Sequence, residues 1–183
     1  MEMQTQMYAS KMSKFLALNQ GAVKLYDECI SKTQDMNIKN QLQQFRMDHQ
    51  NHIQQIQQWF QQAGQQQMQP STEFKNFDQV LLQTARIAQG QDDALKAMHV
   101  AEGFVNAEYG EATHESSMLP QDIKQVLQSQ LQTEHAHLYA VERWSPLMQG
   151  AMAGGTMGGT TGTTGGGSMG GGYGGGGGRM GGY

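Results

Sequence analysis

The sequence predicts an all-α fold: a four-helix bundle made of two helical hairpins with a crossover helix between them, followed by a disordered glycine-rich tail. Before about residue 145, this 183-residue chain is rich in Gln, Ala, Leu and Met and poor in Gly and Pro, which favours helices. In the same part, apolar residues recur at alternating steps of three and four, as on one helix face. We therefore divide the chain into a bundle, residues 1–146, and a tail, residues 147–183.

The first hairpin is predicted from two stripes of residues that share this spacing, separated by the loop sequence SKTQDMN. Gly64 and Pro70 end the second stripe, because glycine and proline commonly follow the last turn of a helix. The first stripe consists of Met12, Phe15, Asn19, Ala22, Tyr26 and Cys29, and the second of Ile38, Leu42, Phe45, His49, His52, Ile56 and Trp59.

The connector between the hairpins carries a shorter helical pattern, which ends at Gly90. We expect Asp92 or Asp93 to cap the helix that follows. Because the connector links two hairpins of one bundle, its helix should lie on the outside. Its stripe consists of Phe77, Leu81, Thr84 and Ile87.

The second hairpin repeats the first, with Met12 corresponding to Leu95 and Ile38 corresponding to Ile123. The two offsets differ slightly, and the difference falls in loops, where changes of length are tolerated. Pro120 is placed to start the last helix. The repeated stripes are Leu95, Met98, Glu102, Val105, Tyr109 and Ala112, followed by Ile123, Leu127, Gln130, Glu134, His137, Val141 and Trp144.

Five residues of these stripes are candidate metal ligands. Glu102, Glu134 and His137 lie on faces predicted to be buried, where a carboxylate is costly unless it is paired, protonated or bound to a cation. A Glu from one helix and Glu-x-x-His from the next make half of the two-metal site of some four-helix bundles. His49 and His52 would complete the shell. These ligands suit a divalent metal, Fe, Mn or Zn.

The other half of such a two-metal site departs from the pattern. Asn19 stands where the first helix would supply Glu, and His49-x-x-His52 stands where the second would supply Glu-x-x-His. This departure disfavours a di-iron oxidase, which relies on several anionic ligands, and leaves a single-metal site. The alternative is a metal-free polar layer, in which Glu102 and Glu134 accept hydrogen bonds from neighbouring histidine and tyrosine side chains.

A family resemblance rests on five segments: LNQGAVKLYDECI, DHQNHI, ALKAMHVAEGFVNAEYGEA, LPQDIK and TEHAHL. With them, the first 145 or so residues resemble a ferritin-like four-helix-bundle family of unknown function. The resemblance implies the ferritin-like fold and no particular activity. The Gln-rich bundle with an unusual tail also resembles, in composition, ferritin-like spore-coat proteins of Gram-positive bacteria.

The remaining histidines and the single cysteine are expected to be structural or exposed. His99, His114 and His135 fall off the stripes and are predicted to lie at the surface. Cys29 falls on the first stripe, which predicts a buried thiol rather than a nucleophile. One cysteine also excludes an intramolecular disulfide and a four-thiolate metal site, and it fits a reducing compartment.

Charge and hydropathy exclude other classes of function. The net charge is −4, and Lys and Arg are scattered, so the basic surface that nucleic-acid binding requires is missing. No apolar run has the length of a signal peptide or a membrane span. We expect a soluble cytoplasmic protein, or one incorporated in a spore coat. No phosphate loop, dinucleotide fingerprint or Ser-His-Asp arrangement has its required context, so no catalytic residue is assigned.

These observations favour a non-enzymatic structural or interaction protein, in which the flexible tail serves self-association, assembly or surface attachment. The alternative is a ferritin-like protein that binds a metal for iron or manganese storage or oxidation. Thioethers in the tail suit Cu(I), and tyrosines on glycine can stack or be cross-linked oxidatively. The tail residues concerned are Met148, Met152, Met157, Met169, Met180, Tyr173 and Tyr183.

Truncation at Gln149 should leave the helix content and melting temperature nearly unchanged, because the tail adds no apolar stripe to the bundle. Self-association or attachment should weaken, and oxidative cross-linking through Tyr173 and Tyr183 should be confined to the full-length chain. Circular dichroism and gel electrophoresis after oxidation measure these effects. Unfolding on truncation, or equal cross-linking of both forms, would contradict the prediction.

Overall fold

The computed structural model describes residues 2–64, 70–72, 75–114 and 119–144, and within these ranges it is helical and contains no strand. The predicted all-α helical bundle is therefore confirmed. No helix of the described ranges is both long and apolar enough to cross a bilayer. The predicted tail, residues 147–183, lies outside the described residues. The helices are α1 (Glu2–Lys32), α2 (Met36–Gln62), α3 (Lys75–Ile87), α4 (Gln91–His114) and α5 (Gln121–Trp144).

The four long helices form a ring in which adjacent helices run antiparallel. α1 packs along α2, α4 packs along α5, α1 also contacts α4, and α2 contacts α5. At one end of the ring, Phe15 packs in one apolar cluster with Trp59 and Tyr109. At the other end, Leu42 and Val141 pack in a second apolar cluster. The middle of the ring is left to polar side chains.

The predicted stripes of the long helices are the buried faces of the bundle. Every stripe residue of α1 and α4 is buried. In α2 and α5 the stripe residues are buried except Ile38, Phe45 and Trp144, which are partly buried and pack against the apolar cluster at their end of the ring. The regular spacing therefore brings the polar stripe residues to the inside, where the apolar clusters hold them.

The ends of α2 are fixed by its flanking residues. The Asp35 carboxylate accepts hydrogen bonds from the backbone N–H groups of Asn37 and Ile38, at 2.8 and 3.1 Å, which caps the first turn. After the last turn, Gly64 takes φ 71°, a left-handed conformation that glycine adopts at little cost. Asp35 and Gly64 thus set where the first hairpin begins its second helix and where that helix ends.

α3 packs against α1 and α4 on the outside of the ring. Its predicted stripe was partly wrong, because Leu81 is buried but Thr84 and Ile87 are exposed, and Ala85 takes the second buried position. A helix that lies in the shallow groove between two others buries only a narrow strip of its surface. In α3 this strip contains Leu81 and Ala85, which are one turn apart. The side chain of Phe77 lies outside the described part of the chain.

Polar contacts hold the end of α3 against the bundle. The Lys32 ammonium donates to the backbone carbonyls of Arg86 and Ala88, at 2.8 Å each. These carbonyls belong to the last turn of α3 and its continuation, where helices leave acceptors without partners. Lys32 therefore ties the end of the crossover helix to α1.

The predicted caps of α4 and α5 shift by one or two positions. α4 begins at Gln91, so Asp92 and Asp93 lie within its first turn instead of capping it. There they still favour the helix, because negative charge stabilises the amino end. Pro120 directly precedes α5, and its carbonyl accepts from the backbone N–H of Lys124.

Candidate metal centre

A layer of polar side chains crosses the bundle between the two apolar clusters. Four of its residues each offer one ligand atom, and these four atoms lie within 4.8 Å of one another. We call this group the central cluster; its members are His49 of α2, Glu102 of α4, and Glu134 and His137 of α5. All four side chains are buried, with exposed fractions of 0 or 1 %.

The helix geometry explains why these residues meet. Glu134 and His137 are three positions apart on α5, so they lie on one face of that helix. α2 and α4 each run antiparallel to α5 in the ring. Their stripes therefore bring His49 and Glu102 to the height of Glu134, and no loop is needed to build the site.

Asn19 fixes which nitrogen of His49 faces the cluster. The Asn19 amide nitrogen donates to the Phe15 carbonyl and to the Tyr109 hydroxyl, at 2.7 Å each. A carbonyl can only accept, so the Asn19 oxygen must face α2, where it lies 2.8 Å from His49 Nδ1. His49 Nδ1 is then the N–H donor, and in the neutral ring the lone pair on Nε2 points toward Glu102 Oε1, 3.6 Å away.

Asp48 plays the same part for His137. Its Oδ2 lies 3.1 Å from His137 Nε2, and a carboxylate accepts the hydrogen that this nitrogen carries. The lone pair of the neutral His137 ring is therefore on Nδ1, which lies 3.6 Å from Glu134 Oε2 and has no hydrogen-bond partner. A carboxylate behind a histidine in this way fixes the tautomer and raises the basicity of the ring, as for metal-binding histidines.

His52 lies beside the central cluster and contributes none of its four ligand atoms. Its Nδ1 lies 3.3 Å from the Asn19 oxygen and 3.0 Å from Glu134 Oε1. Because the Asn19 oxygen is an acceptor, Nδ1 of His52 is also the N–H donor. His52 therefore directs a hydrogen toward Glu134 Oε1, a supporting role that the sequence did not distinguish from that of a ligand.

The carboxylates have more acceptor capacity than the layer satisfies. Tyr26 donates to Glu102 Oε1 at 2.5 Å, and the His52 N–H lies 3.0 Å from Glu134 Oε1, whereas Glu102 Oε2 and Glu134 Oε2 have no hydrogen-bond partner. His49 Nε2 and His137 Nδ1 are likewise without one. Four buried acceptor atoms without a donor are costly, unless a proton or a cation lies between them.

In the metal-free protein, the charges of Glu134 and His49 shift each other's pKa. Burial by itself would raise the pKa of Glu134, but His49, His137 and His52 outweigh it and lower that pKa. Burial by itself would lower the pKa of His49, but Glu134 and Glu102 outweigh it and raise that pKa. Without a metal, the cluster therefore favours a protonated His49 beside an ionised Glu134.

Two tyrosines remain proton donors at the edges of the layer. Burial, followed by the charge of Glu102, raises the pKa of Tyr26 well above its ordinary value. Burial and Glu134 do the same for Tyr109, whose hydroxyl donates to the Gln130 amide oxygen at 2.8 Å. Gln130, placed on the stripe by its spacing, thus takes no part in the central cluster and joins α4 to α5 beside it.

Of the five ligands predicted from the sequence, four form the central cluster and the fifth lies beside it. His49, Glu102, Glu134 and His137 come together, and His52 supports Glu134. Sequence reasoning missed the roles of Asp48 and Asn106. The Asn106 amide nitrogen donates to the backbone carbonyls of Glu102 and Glu134, at 2.9 Å each. Both residues lie one position off a stripe, so the spacing gave no signal for them.

The other candidate residues lie where the sequence predicted, except His99. His114 and His135 are exposed, and His99 is partly buried, with Nε2 3.7 Å from a Glu142 carboxylate oxygen. Cys29 is buried, and its thiol donates to the Ala94 carbonyl. Burial and then the charge of Glu28 raise the pKa of Cys29 to about 12, so it stays a thiol at neutral pH.

The donor set and its spacing fit a small divalent cation. Ligands of a tetrahedral zinc site at about 2.1 Å from the ion stand about 3.4 Å apart. In the central cluster, His49 Nε2 and Glu102 Oε1 are 3.6 Å apart, and so are His137 Nδ1 and Glu134 Oε2. Two imidazoles and two carboxylates could therefore reach one ion with small side-chain adjustments.

Comparison with protein-family models, with curated proteins and with solved structures found no match to this chain.

The metal-free protein should be most stable in mildly acidic solution. The lowered pKa of Glu134 gives stability that is present above its ordinary value of 4.5 and lost as the pH falls through the lowered value. The raised pKa of His49 gives stability that is present below its ordinary value of 6.5 and lost as the pH rises through the raised value. Urea unfolding of chelator-treated protein should therefore show a lower midpoint at about pH 9 than at about pH 6. In His49→Gln this decline should be reduced, and a midpoint that rises in the wild type would contradict the assignment.

Proposed function

We propose that this chain is a metal-binding helical bundle that holds one divalent transition-metal ion, Fe, Mn or Zn, in the central cluster. The observation that carries the proposal is that hydrogen-bond acceptors of the central cluster face each other inside the bundle. In the neutral rings, the lone pair of His49 Nε2 points at Glu102 Oε1 and that of His137 Nδ1 points at Glu134 Oε2, so each of these two contacts joins two acceptors. A cation supplies the charge that these four groups jointly require.

The charge balance supports a dication. With both carboxylates ionised and both histidines neutral, the central cluster carries a charge of about −2, which one divalent ion neutralises. Among the described residues, the buried polar and charged side chains include no Lys or Arg that could take this place. Protons can neutralise this charge only by making a buried histidine cationic, and metal binding would displace these protons.

The surrounding residues support a single ion rather than two. The Asn19 oxygen accepts hydrogen bonds from the histidines of α2, and His52 turns its N–H toward Glu134. His52 therefore presents an N–H where a second ion would need a lone pair, and Asn19 supplies a neutral amide where that ion would need a carboxylate. Storage or oxidation of iron or manganese stays a prediction from the sequence.

The ferritin-like relation is part of this proposal. Support comes from the repeat of α1 and α2 in α4 and α5, from the position of α3 outside the ring, and from the equal height of the ligands on three helices. The assembly role predicted from the tail concerns residues outside the described part of the chain, and it stays a prediction for the truncated protein to test.

Metal binding is tested by titrating chelator-treated full-length protein with Zn²⁺, Mn²⁺ and Co²⁺ in a calorimeter. One ion per chain is expected, with affinity that rises with pH because protons leave His49. Glu134→Gln should weaken the tightest of these interactions by more than about 100-fold, since it removes a ligand charge. The matched control is His135→Gln, an exposed neighbour that should bind like the wild type.

Asp48→Ala separates a specific site from adventitious binding. It leaves all four ligands in place but removes the carboxylate behind His137, and it should weaken binding about 10–100-fold. Asp27→Ala, which removes an exposed partner of Arg46, is its control. No binding by the wild type, or equal binding by wild type and Glu134→Gln, would overturn the metal-binding function.

A further inference from the structure

The ligands of the central cluster are closed off from solvent. All four side chains have exposed fractions of 0 or 1 %. A cation that occupies the proposed site has to pass between two helices and give up its hydration shell on the way. Because bare cations are costly among apolar groups, side chains along the route need oxygen or nitrogen atoms that replace the lost water.

The side of the cluster that faces α1, α3 and α4 does not meet this requirement. A small cavity of about 20 Å³ lies there beside Glu102. Its other lining residues are apolar, among them Leu25 of α1, Leu81 of α3 and Val105 of α4. A cation would lose its hydration among these aliphatic side chains, at a cost that a single carboxylate does not offset.

The edge between α2 and α5 is polar instead. We call it the α2–α5 seam; it consists of Gln44, Asp48 and Gln55 of α2 and of Gln130 and His137 of α5. Asp48 Oδ1 accepts from the Gln44 side chain at 3.2 Å, and Gln55 accepts from the Gln130 amide nitrogen at 2.9 Å. Gln44 and Gln55 are exposed, whereas Gln130 and His137 are buried. The seam therefore offers amide and carboxylate oxygens from the surface inward.

Asp48 combines the two properties that an entry site needs. Its side chain is 25 % exposed, and its Oδ2 lies 3.1 Å from Nε2 of the ligand residue His137. The hydrogen bond at this contact holds the His137 ring across the seam. A cation that approaches Asp48 competes with the His137 N–H for the same carboxylate, because a positive ion and a donor hydrogen repel each other. Binding at Asp48 would thus release the ring that closes the seam.

We propose that the Asp48 carboxylate is the first ligand of an incoming divalent cation, which then passes His137 through the α2–α5 seam into the central cluster. This entry role rests on the proposed function. It differs from the orienting role of Asp48, since orientation acts on the ion once it is bound, whereas entry acts on the rate at which the ion arrives.

The two roles are separated by measuring rates with Co²⁺ as the probe. Chelator-treated full-length protein is mixed rapidly with Co²⁺, and the visible absorption of the bound ion gives the association rate; excess chelator then gives the dissociation rate. Asp48→Asn keeps an acceptor oxygen for His137 but removes the charge. We expect its association rate constant to fall about 10-fold or more. The control Asp27→Asn removes an exposed carboxylate of α1 and should bind at the wild-type rate.

Charge changes at Gln44 test the route without altering a ligand or the contact between Asp48 and His137. Gln44→Glu should speed association several-fold at low salt and Gln44→Lys should slow it, and both effects should shrink as the salt concentration rises. The controls are Gln43→Glu and Gln43→Lys, because Gln43 is exposed on a different face of α2. These should change the rate much less. If Asp48→Asn does not fold, the Gln44 variants still decide.

An unchanged association rate in Asp48→Asn, or equal effects at Gln43 and Gln44, would overturn the entry site. Faster association in Leu81→Ala, which opens the apolar side, would do the same. If these rates are indifferent but Glu134→Gln still abolishes binding, the entry site is rejected and the metal site stands. Binding that is lost in Asp48→Asn but kept in Glu134→Gln would instead support a cation site at Asp48 and reject the central cluster.

Discussion

Two carboxylates and two imidazole lone pairs converge in the middle of this bundle, where no Lys or Arg of the described residues reaches them. The apolar clusters at both ends of the ring keep the helices at fixed separations, so the acceptors cannot move apart without breaking core contacts. Their mutual repulsion must be relieved inside the layer. The hydrogen bonds, tautomers and charges of the neighbouring residues all follow from that requirement.

The polar neighbours that perform this task lie on α1 and α2. Asp48 of α2 and Asn19 of α1 accept the hydrogens of His137 and His49, and so turn the bare nitrogens of these rings inward. Tyr26 of α1 donates to Glu102. Each of these ligands is thus oriented by a side chain from a helix other than its own.

Sequence spacing predicted the buried faces well because each long helix is in contact along its whole length. A stripe with steps of three and four then has only one way to face inward, and His49, Glu102, Glu134 and His137 follow from it. α3 lacked this constraint, since it lies against two helices only, and its register was wrong at Thr84 and Ile87. The sequence therefore predicted Thr84 and Ile87 to be buried, although they are exposed.

The division of roles within the site was beyond the sequence for a different reason. The sequence alone does not distinguish His49 from His52, because both are histidines on the same stripe. Only the partner of each ring nitrogen shows which of the two can be a ligand. Those partners, Asn19 and Glu134, come from other helices. Asp48 was hidden because it lies one position off the stripe and reaches the layer from the edge between α2 and α5.

Asn106 fixes the distance between the backbones of α4 and α5 at the site. Its amide nitrogen donates to the backbone carbonyls of Glu102 and Glu134, and this joins α4 to α5 at the residues that carry the two carboxylates. With the two backbones joined in this way, the distance between the carboxylates can change only by rotation of the Glu102 and Glu134 side chains. Calcium prefers six to eight oxygens at about 2.3–2.6 Å and a yielding shell. At the proposed metal site, a fixed distance between the two backbones would favour a small ion with few ligands over a large ion that needs six to eight.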